Sequence, residues 1–333
     1  MKENTYKRRI ASRKRNRIVL TIKIVVAIGV IAFLFTSRRL DVTAILNSYK
    51  YSDSLLLGVL FCILAMIIPM FRWWILTRMQ RLPLGAFDTI RLNMIGDFFN
   101  IFIPGGSGGD VIRAAYAIRE FPERRAQALA VAFVDRGLGL HALLLLSVCL
   151  FSFQPHLLDT NPGIWPLVLF VTGLLIVGTL SPLLLLLERT KDIVARLFGR
   201  VLGGVSAWKE TMELYRHQPG LFFLAYAFSI GIALSNILAI HFMMLAVGST
   251  PTVFESLSIA PLVILANCLP LTPGGVGIAE GTSAGLYALM GHVGGANGML
   301  LTRFFIIMFA LLGLPFFLMN REVRSKGIPA KRI

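Results

Sequence analysis

The sequence predicts an all-α polytopic membrane protein with about six full spans, two opposed re-entrant helical hairpins and an inverted-topology repeat; if the hairpins cross fully, the count becomes eight or more helices. Three observations predict it. Apolar residues make up 56% of the 333-residue chain and charged residues 15%, against roughly 25% charged in soluble domains, and the mean hydropathy is +0.74. The apolar residues fall in long blocks, the pattern of membrane spans. A Pro-Gly-Gly-x-Gly motif occurs twice, each time between two short apolar stretches.

Taken in order, residues 1–17 carry eight Lys/Arg and read as a basic cytoplasmic tail. The apolar stretch 18–36 that follows is long enough to span and lacks a clean cleavage site, so it reads as a retained helix rather than a leader. Five more segments are long enough: 54–76, 126–153, 164–187, 219–247 and 297–320. Two shorter ones, 86–103 and 252–271, run into the Pro-Gly-Gly motifs, and 110–121 and 278–290 return from them. Each pair reads as a hairpin that enters the membrane and turns back, which backbone chemistry permits only inside protein or a watery cavity. Repeat 1 covers about 54–187 and repeat 2 about 219–320, within a single transmembrane domain, 18–320. The connector 188–218 has an apolar stripe at helical spacing (Ile193, Leu197, Val201, Val205) flanked by basic residues, suiting either a helix on the membrane surface or a packed connector. Residues 321–333 form a second basic tail.

Lysine and arginine orient these spans. They populate 77–85, 119–125, 188–218 and both tails, and are absent from 154–163, 248–251 and 291–296. Cytoplasmic N- and C-termini fit all of these; 37–53, with Arg38, Arg39 and Lys50, is the exception. The same assignment explains the net charge of +16 as loops facing anionic lipid, so no nucleic-acid partner is expected. Cys62, Cys149 and Cys268 lie within apolar blocks and match no metal or disulfide spacing. No metal or cofactor is expected. Neither glycine motif continues into Lys-Ser/Thr, which excludes an ATP-binding loop.

The repeat carries the functional expectation. Its first copy has Asp97, Asn100, Pro104, Gly105, Gly106, Gly108, Gly109, Asp110 and Arg113; its second has Asn267, Pro273, Gly274, Gly275, Gly277 and Glu280. Proline and glycine stop the helix and free backbone groups. The helix that restarts points its N–H groups at the break, a setting that favours anions. An arginine follows in each copy: Arg136 lies 32 residues after the first proline and Arg303 lies 30 after the second. The spans that open the copies are three apart in the count, so they run in opposite directions, as in many secondary transporters. The two breaks are expected to meet near mid-membrane. Asp97, Asp135, Arg136 and Arg303 fall inside membrane segments, where a charge costs at least about 2.5 kcal/mol. They either neutralise one another or line a path for an anionic head group. Asp110 reads as a helix cap or as part of that path. His141 and His241 read as hydrogen-bonded spans residues or proton relays. Arg72, Trp73 and Trp74 read as an interfacial anchor ending their span.

The stretch from Asn100 through Pro104-Gly-Gly-x-Gly-Gly-Asp110 to Arg113, and the stretch Pro270-x-x-Pro273-Gly-Gly-x-Gly-x-x-Glu280, resemble the two signatures of the lysylphosphatidylglycerol synthase transmembrane-region family, with Asp135-Arg136 and Arg303 at matching places. The resemblance runs from about residue 15 to 320. It implies the flippase half of the bacterial multiple peptide resistance factor, or of stand-alone members proposed to move hopanoids or polyprenyl-linked sugars. Where the full-length factor carries its synthase domain, only a short basic tail follows residue 320, so the transport half alone is expected, without lysyl transfer. The expected function is translocation of a phospholipid or polyprenyl-linked lipid across the cytoplasmic (inner) membrane. The alternatives are a polyprenyl-phosphate-dependent glycosyltransferase, for which loop 37–53 offers only Asp41 and Asp53, and a non-catalytic partner subunit of a lipid-modifying enzyme. An intramembrane serine protease built on Ser107 is weaker still, because the second copy has Val276 there. Oligomeric state, a homo-oligomer included, is left open, as are the lipid, the direction and the energy source.

Overall fold

The computed structural model describes residues 51–101, 108–152, 163, 165–186, 213–269, 271–272 and 274–319. The predicted span 18–36, most of the connector 188–218, the basic tails, and the motif residues Pro104, Gly105, Gly106, Ser107, Pro270 and Pro273 lie outside the described residues. Among the described residues the chain is helical, with no strand. The helices are α1 (Ser52–Met79), α2 (Ala86–Asn100), α3 (Gly108–Glu120), α4 (Arg125–Ser152), α5 (Trp165–Leu186), α6 (Pro219–Ala246), α7 (Val253–Asn267), α8 (Ile278–Ala288), α9 (Gly295–Ala310) and α10 (Gly313–Met319). They fall where hydropathy and the glycine breaks place them, except that the predicted span 297–320 is divided into α9 and α10. Four stretches are long and apolar enough to cross a membrane: Ser52–Met79, Pro122–Ser152, Pro219–Ala246 and Gly295–Met319.

Local chemistry sets the helix ends. Thr252 caps α7: its hydroxyl accepts the Glu255 N–H at 3.2 Å, and the Glu255 carboxylate accepts the Thr252 N–H at 2.7 Å, a reciprocal capping box. Pro219 occupies the first turn of α6, where its missing N–H is not needed. Gly294 enters α9 through a left-handed φ of 89°.

The longest seam joins α1 to α6. Gly58 sits against Met243, Phe61 stacks on Phe242 with ring centres 5.5 Å apart, Phe71 on Phe228, and the Gln218 amide donates to the Met79 carbonyl at 3.2 Å. Numbers rise along one helix as they fall along the other, so the two run antiparallel over their whole length. Both have 28 residues; α2 and α7 each have 15; α3 and α8 have 13 and 11. The packing repeats in the same order. α2 packs on α3 as α7 packs on α8, α3 on α4 as α8 on α9, and α4 reaches α7 where α10 reaches α2. The break at Leu311–Leu312 divides α9 from α10, whereas α4 continues unbroken. One core lies between α1, α4 and α6 around Trp73, Leu76 and Val131; another lies between α6, α7 and α8 around Ile240, Val263 and Tyr287.

Candidate functional site

The first hairpin is closed by glycines in contact. Helices α2 and α3 cross where Gly96 meets Gly109, and a Cβ on Gly109 would lie 2.5 Å from the Gly96 carbonyl oxygen. No side chain fits there. The Gly109 N–H, one of the unpaired donors at a helix start, donates to the Asn100 carboxamide oxygen at 2.6 Å. Asp110 and Arg113 stand three residues apart on one face of α3 and form an ion pair. Arg113 also donates to the Asn93 side chain, lies 4.8 Å over the Trp73 ring, and reaches Asp135 of α4 at 3.9 Å.

Asp135 and Arg136 are neighbours on α4 and therefore point about 100° apart, toward different partners. Asp135, 2% exposed, accepts from Arg72 of α1 at 2.7 Å. Arg72 in turn donates to the Ser229 hydroxyl of α6 at 3.0 Å. Arg136 sits 3.7 Å from Asp110, with 34% of its side chain exposed. A continuous polar chain thus runs Ser229, Arg72, Asp135, Arg113, Asp110, Arg136, through the apolar body. Asp97 of α2 follows Gly96, which packs on the Arg113 side chain: a Cβ on Gly96 would lie 3.0 Å from the Arg113 Cγ.

The second hairpin is held by one arginine. Arg303 of α9 pairs with Glu280 and donates to the carbonyl oxygens of Gly274 and Gly275 and to Asn267, the last two at 3.2 and 3.3 Å. The other Glu280 oxygen accepts the Gly277 N–H at 2.6 Å. Gly274, Gly275 and Gly277 have φ of 58°, 70° and 89°, a region that costs other residues dearly. The Arg303 side chain is only 12% exposed. The two hairpins touch: a Cβ on Gly274 would lie 3.0 Å from the Ile101 carbonyl oxygen at the end of α2.

The structure therefore gathers the expected residues into two abutting clusters. Asp97, Asn100, Gly108, Gly109, Asp110, Arg113, Asp135 and Arg136 form one; Asn267, Gly274, Gly275, Gly277, Glu280 and Arg303 form the other. Two sequence readings need correction. Arg72 and Trp73 are not an interfacial anchor: they are 7% and 0% exposed, because α1 runs on to Met79 and places them two turns inside. Asp110 lies within the first turn of α3 and bonds to Arg113. Sequence reasoning missed Arg72, Asn93 and Ser229 as members of the network. An arginine seven residues before a helix end was the available signal for the first; the other two carry none. His141 is bonded to Tyr226 at 2.8 Å and Thr179 at 3.0 Å, and His241 to Ser256 at 2.9 Å.

Residues 20–315 match the model of the lysylphosphatidylglycerol synthase transmembrane region. The chain belongs to that family. The matched span includes both hairpins and both acid–arginine pairs. This family member is also similar to a UPF0104 membrane protein of Methanothermobacter thermautotrophicus, 21% identical over 290 residues, covering 80% of this chain and 85% of the relative. No solved structure matches. As a family member the chain is a membrane protein, and no catalytic domain is found in the part described.

Proposed function

We propose that this protein is a lipid translocase of the cytoplasmic membrane, moving a phospholipid or polyprenyl-linked lipid whose head group is anionic. Its termini are cytoplasmic, and its two hairpins are re-entrant loops entering from opposite sides. The antiparallel α1/α6 seam and the matched helix order support an inverted repeat, the architecture in which substrate sites sit at the repeat interface.

One observation carries the reading. Within a buried chain of charges, Arg136 stands a third exposed beside a glycine-lined helix start. A cation left accessible at membrane depth is costly unless it has a ligand or a pathway to serve. An arginine presents paired donors that match phosphate. The polar chain behind it holds that guanidinium in place while the lipid tail stays in the hydrocarbon.

The test is translocation by the purified protein in liposomes. Head-group-labelled phosphatidylglycerol, its lysyl form and a polyprenyl-phosphate sugar are scored by an impermeant quencher. Movement of one of them, lost in Arg136→Ala, is the expected result. No movement of any, from folded protein, moves the reading to a partner subunit or a polyprenyl-phosphate glycosyltransferase.

A further inference from the structure

Helix α4 divides its residues between two opposite faces. Val131, Asp135, Leu138 and Ala142 are buried and recur at helical spacing, so they form the side turned into the bundle. Phe133, Arg136, Gly137 and Leu140 fall within about 100° of arc on the other side. There Phe133 is 62% exposed and the Arg136 side chain 34%. Gly137 is exposed, and a Cβ on it would meet no atom within 4 Å. It is also the central residue of the apolar stretch Pro122–Ser152. Arg136 therefore opens outward near mid-span, where the medium around a membrane protein is hydrocarbon rather than water.

The two glycines of α4 differ in what they make room for. A Cβ on Gly139 would lie 3.1 Å from a guanidinium nitrogen of Arg72, so Gly139 clears space for the buried Arg72–Asp135 pair. Gly137 clears space for no protein atom, although glycine inside a helix is less stable than alanine. Its missing side chain leaves a shallow notch on the open face. Phe133 lies one turn before the notch, Leu140 one turn after it, and Arg136 along its edge. An apolar notch beside a cation is complementary to an amphiphile with an anionic head group. A water-soluble phosphate would use the cation alone; a lipid uses both parts, pairing phosphate with guanidinium and keeping its chain in hydrocarbon.

We propose that Gly137 is the tail-docking position of the site: the lipid arrives sideways from the bilayer, its phosphate pairs with Arg136, and the start of its acyl or prenyl chain lies across Gly137. The proposal rests on the lipid-translocase reading. It adds the side of entry and the residue that favours a lipid over a free anion.

The experiment compares the full-length wild type with Gly137→Leu in the liposome assay, using the same three head-group-labelled lipids. Gly173→Leu is the control, at an equally open glycine of α5. Gly137→Leu is expected to bring translocation down to the level of Arg136→Ala. Its unfolding midpoint in detergent should stay at or above that of wild type, because the added Cβ meets no atom and leucine favours a helix over glycine. Gly173→Leu is expected to translocate as wild type does. A wild-type rate in Gly137→Leu, or an equal loss in Gly173→Leu, overturns the tail-docking role while leaving translocation standing. Absence of movement of all three lipids in wild type overturns the translocase reading and this inference together. A second measurement needs no bulky variant. The lipid that moves, carrying a diazirine near the top of its chain, is photo-crosslinked to the wild-type protein. Labelling within residues 133–140 is expected, lowered in Arg136→Ala and not competed by glycerol 3-phosphate. Labelling that ignores Arg136→Ala, or that glycerol 3-phosphate competes away, overturns the proposal.

Discussion

The two hairpins share a motif and nearly the same helix lengths, yet they spend their arginines differently. In the second, Arg303 is consumed by the fold. It neutralises Glu280 and satisfies two glycine carbonyls that the left-handed turn leaves free. In the first, the acid of the motif finds its close partner on its own helix, Arg113, and the later arginine is left at 3.7 Å and a third exposed. The same sequence signature thus supports a latch on one side and an available cation on the other. The difference traces to residue 113. The second copy has Ser283 three residues after its acid, buried and donating to the Gly295 carbonyl at 2.8 Å, so Glu280 has to look to α9.

Removing the latch is the strongest way to break this comparison. Arg303→Ala strands a buried glutamate and two carbonyls, a loss of about 3–5 kcal/mol. A thermal unfolding midpoint in detergent far below that of wild type is expected; an unchanged midpoint would refute the latch. Asp135→Ala strands Arg72 and should fall in the same range, measured the same way, which tests whether the first hairpin's support is as firm as the second's.

Next come the glycines, which the two hairpins need for different reasons. Gly109→Ala fails by overlap with Gly96, at about 1–3 kcal/mol. Gly277→Ala meets no atom within 4 Å and fails by backbone alone, at about 1–2 kcal/mol for an L-residue at φ 89°. Paired Gly96→Ala and Gly109→Ala substitutions should therefore depart from additivity, whereas Gly277→Ala should add independently to either. Additivity at the first pair would show that the helices do not depend on that contact.

Arg136→Ala separates stability from function. A partly exposed pair at this distance contributes about 0–1 kcal/mol, so the midpoint should hardly move. The loss of a charged hydrogen bond to phosphate, about 1.5–3 kcal/mol, should lower the liposome translocation rate roughly ten- to hundredfold. If the rate is unchanged, the first hairpin has no special claim over the second. The smallest effect expected is at Gly281, in α8 with open space around it: Gly281→Ala should raise stability by about 0.5–1 kcal/mol through helix propensity, read from the same midpoint.

Much of this was legible in the chain. Long apolar blocks can only be satisfied as helices in lipid, so α1, α4, α6 and the α9–α10 stretch stood out, and Pro-Gly-Gly located both breaks to within a few residues. The acid and arginine of each copy could be located by spacing alone, though not which arginine each acid would pair with. What stayed hidden were partners without periodicity or motif: Asn93, Ser229, and the inward turn of Arg72, which looked like the end of a span until α1 was seen to continue for two more turns.

Composition and motif, then, determined by themselves that the protein is helical, lies in the membrane, and carries two broken-helix sites each with an acid and an arginine. These follow from local rules of solvation and backbone geometry that hold wherever the segments sit. Which arginine is locked and which is accessible was decided only by the tertiary structure. That choice depends on distances between α3, α4, α8 and α9, and no separation along the chain encodes whether a guanidinium ends 3.7 Å from its carboxylate or in direct contact with it.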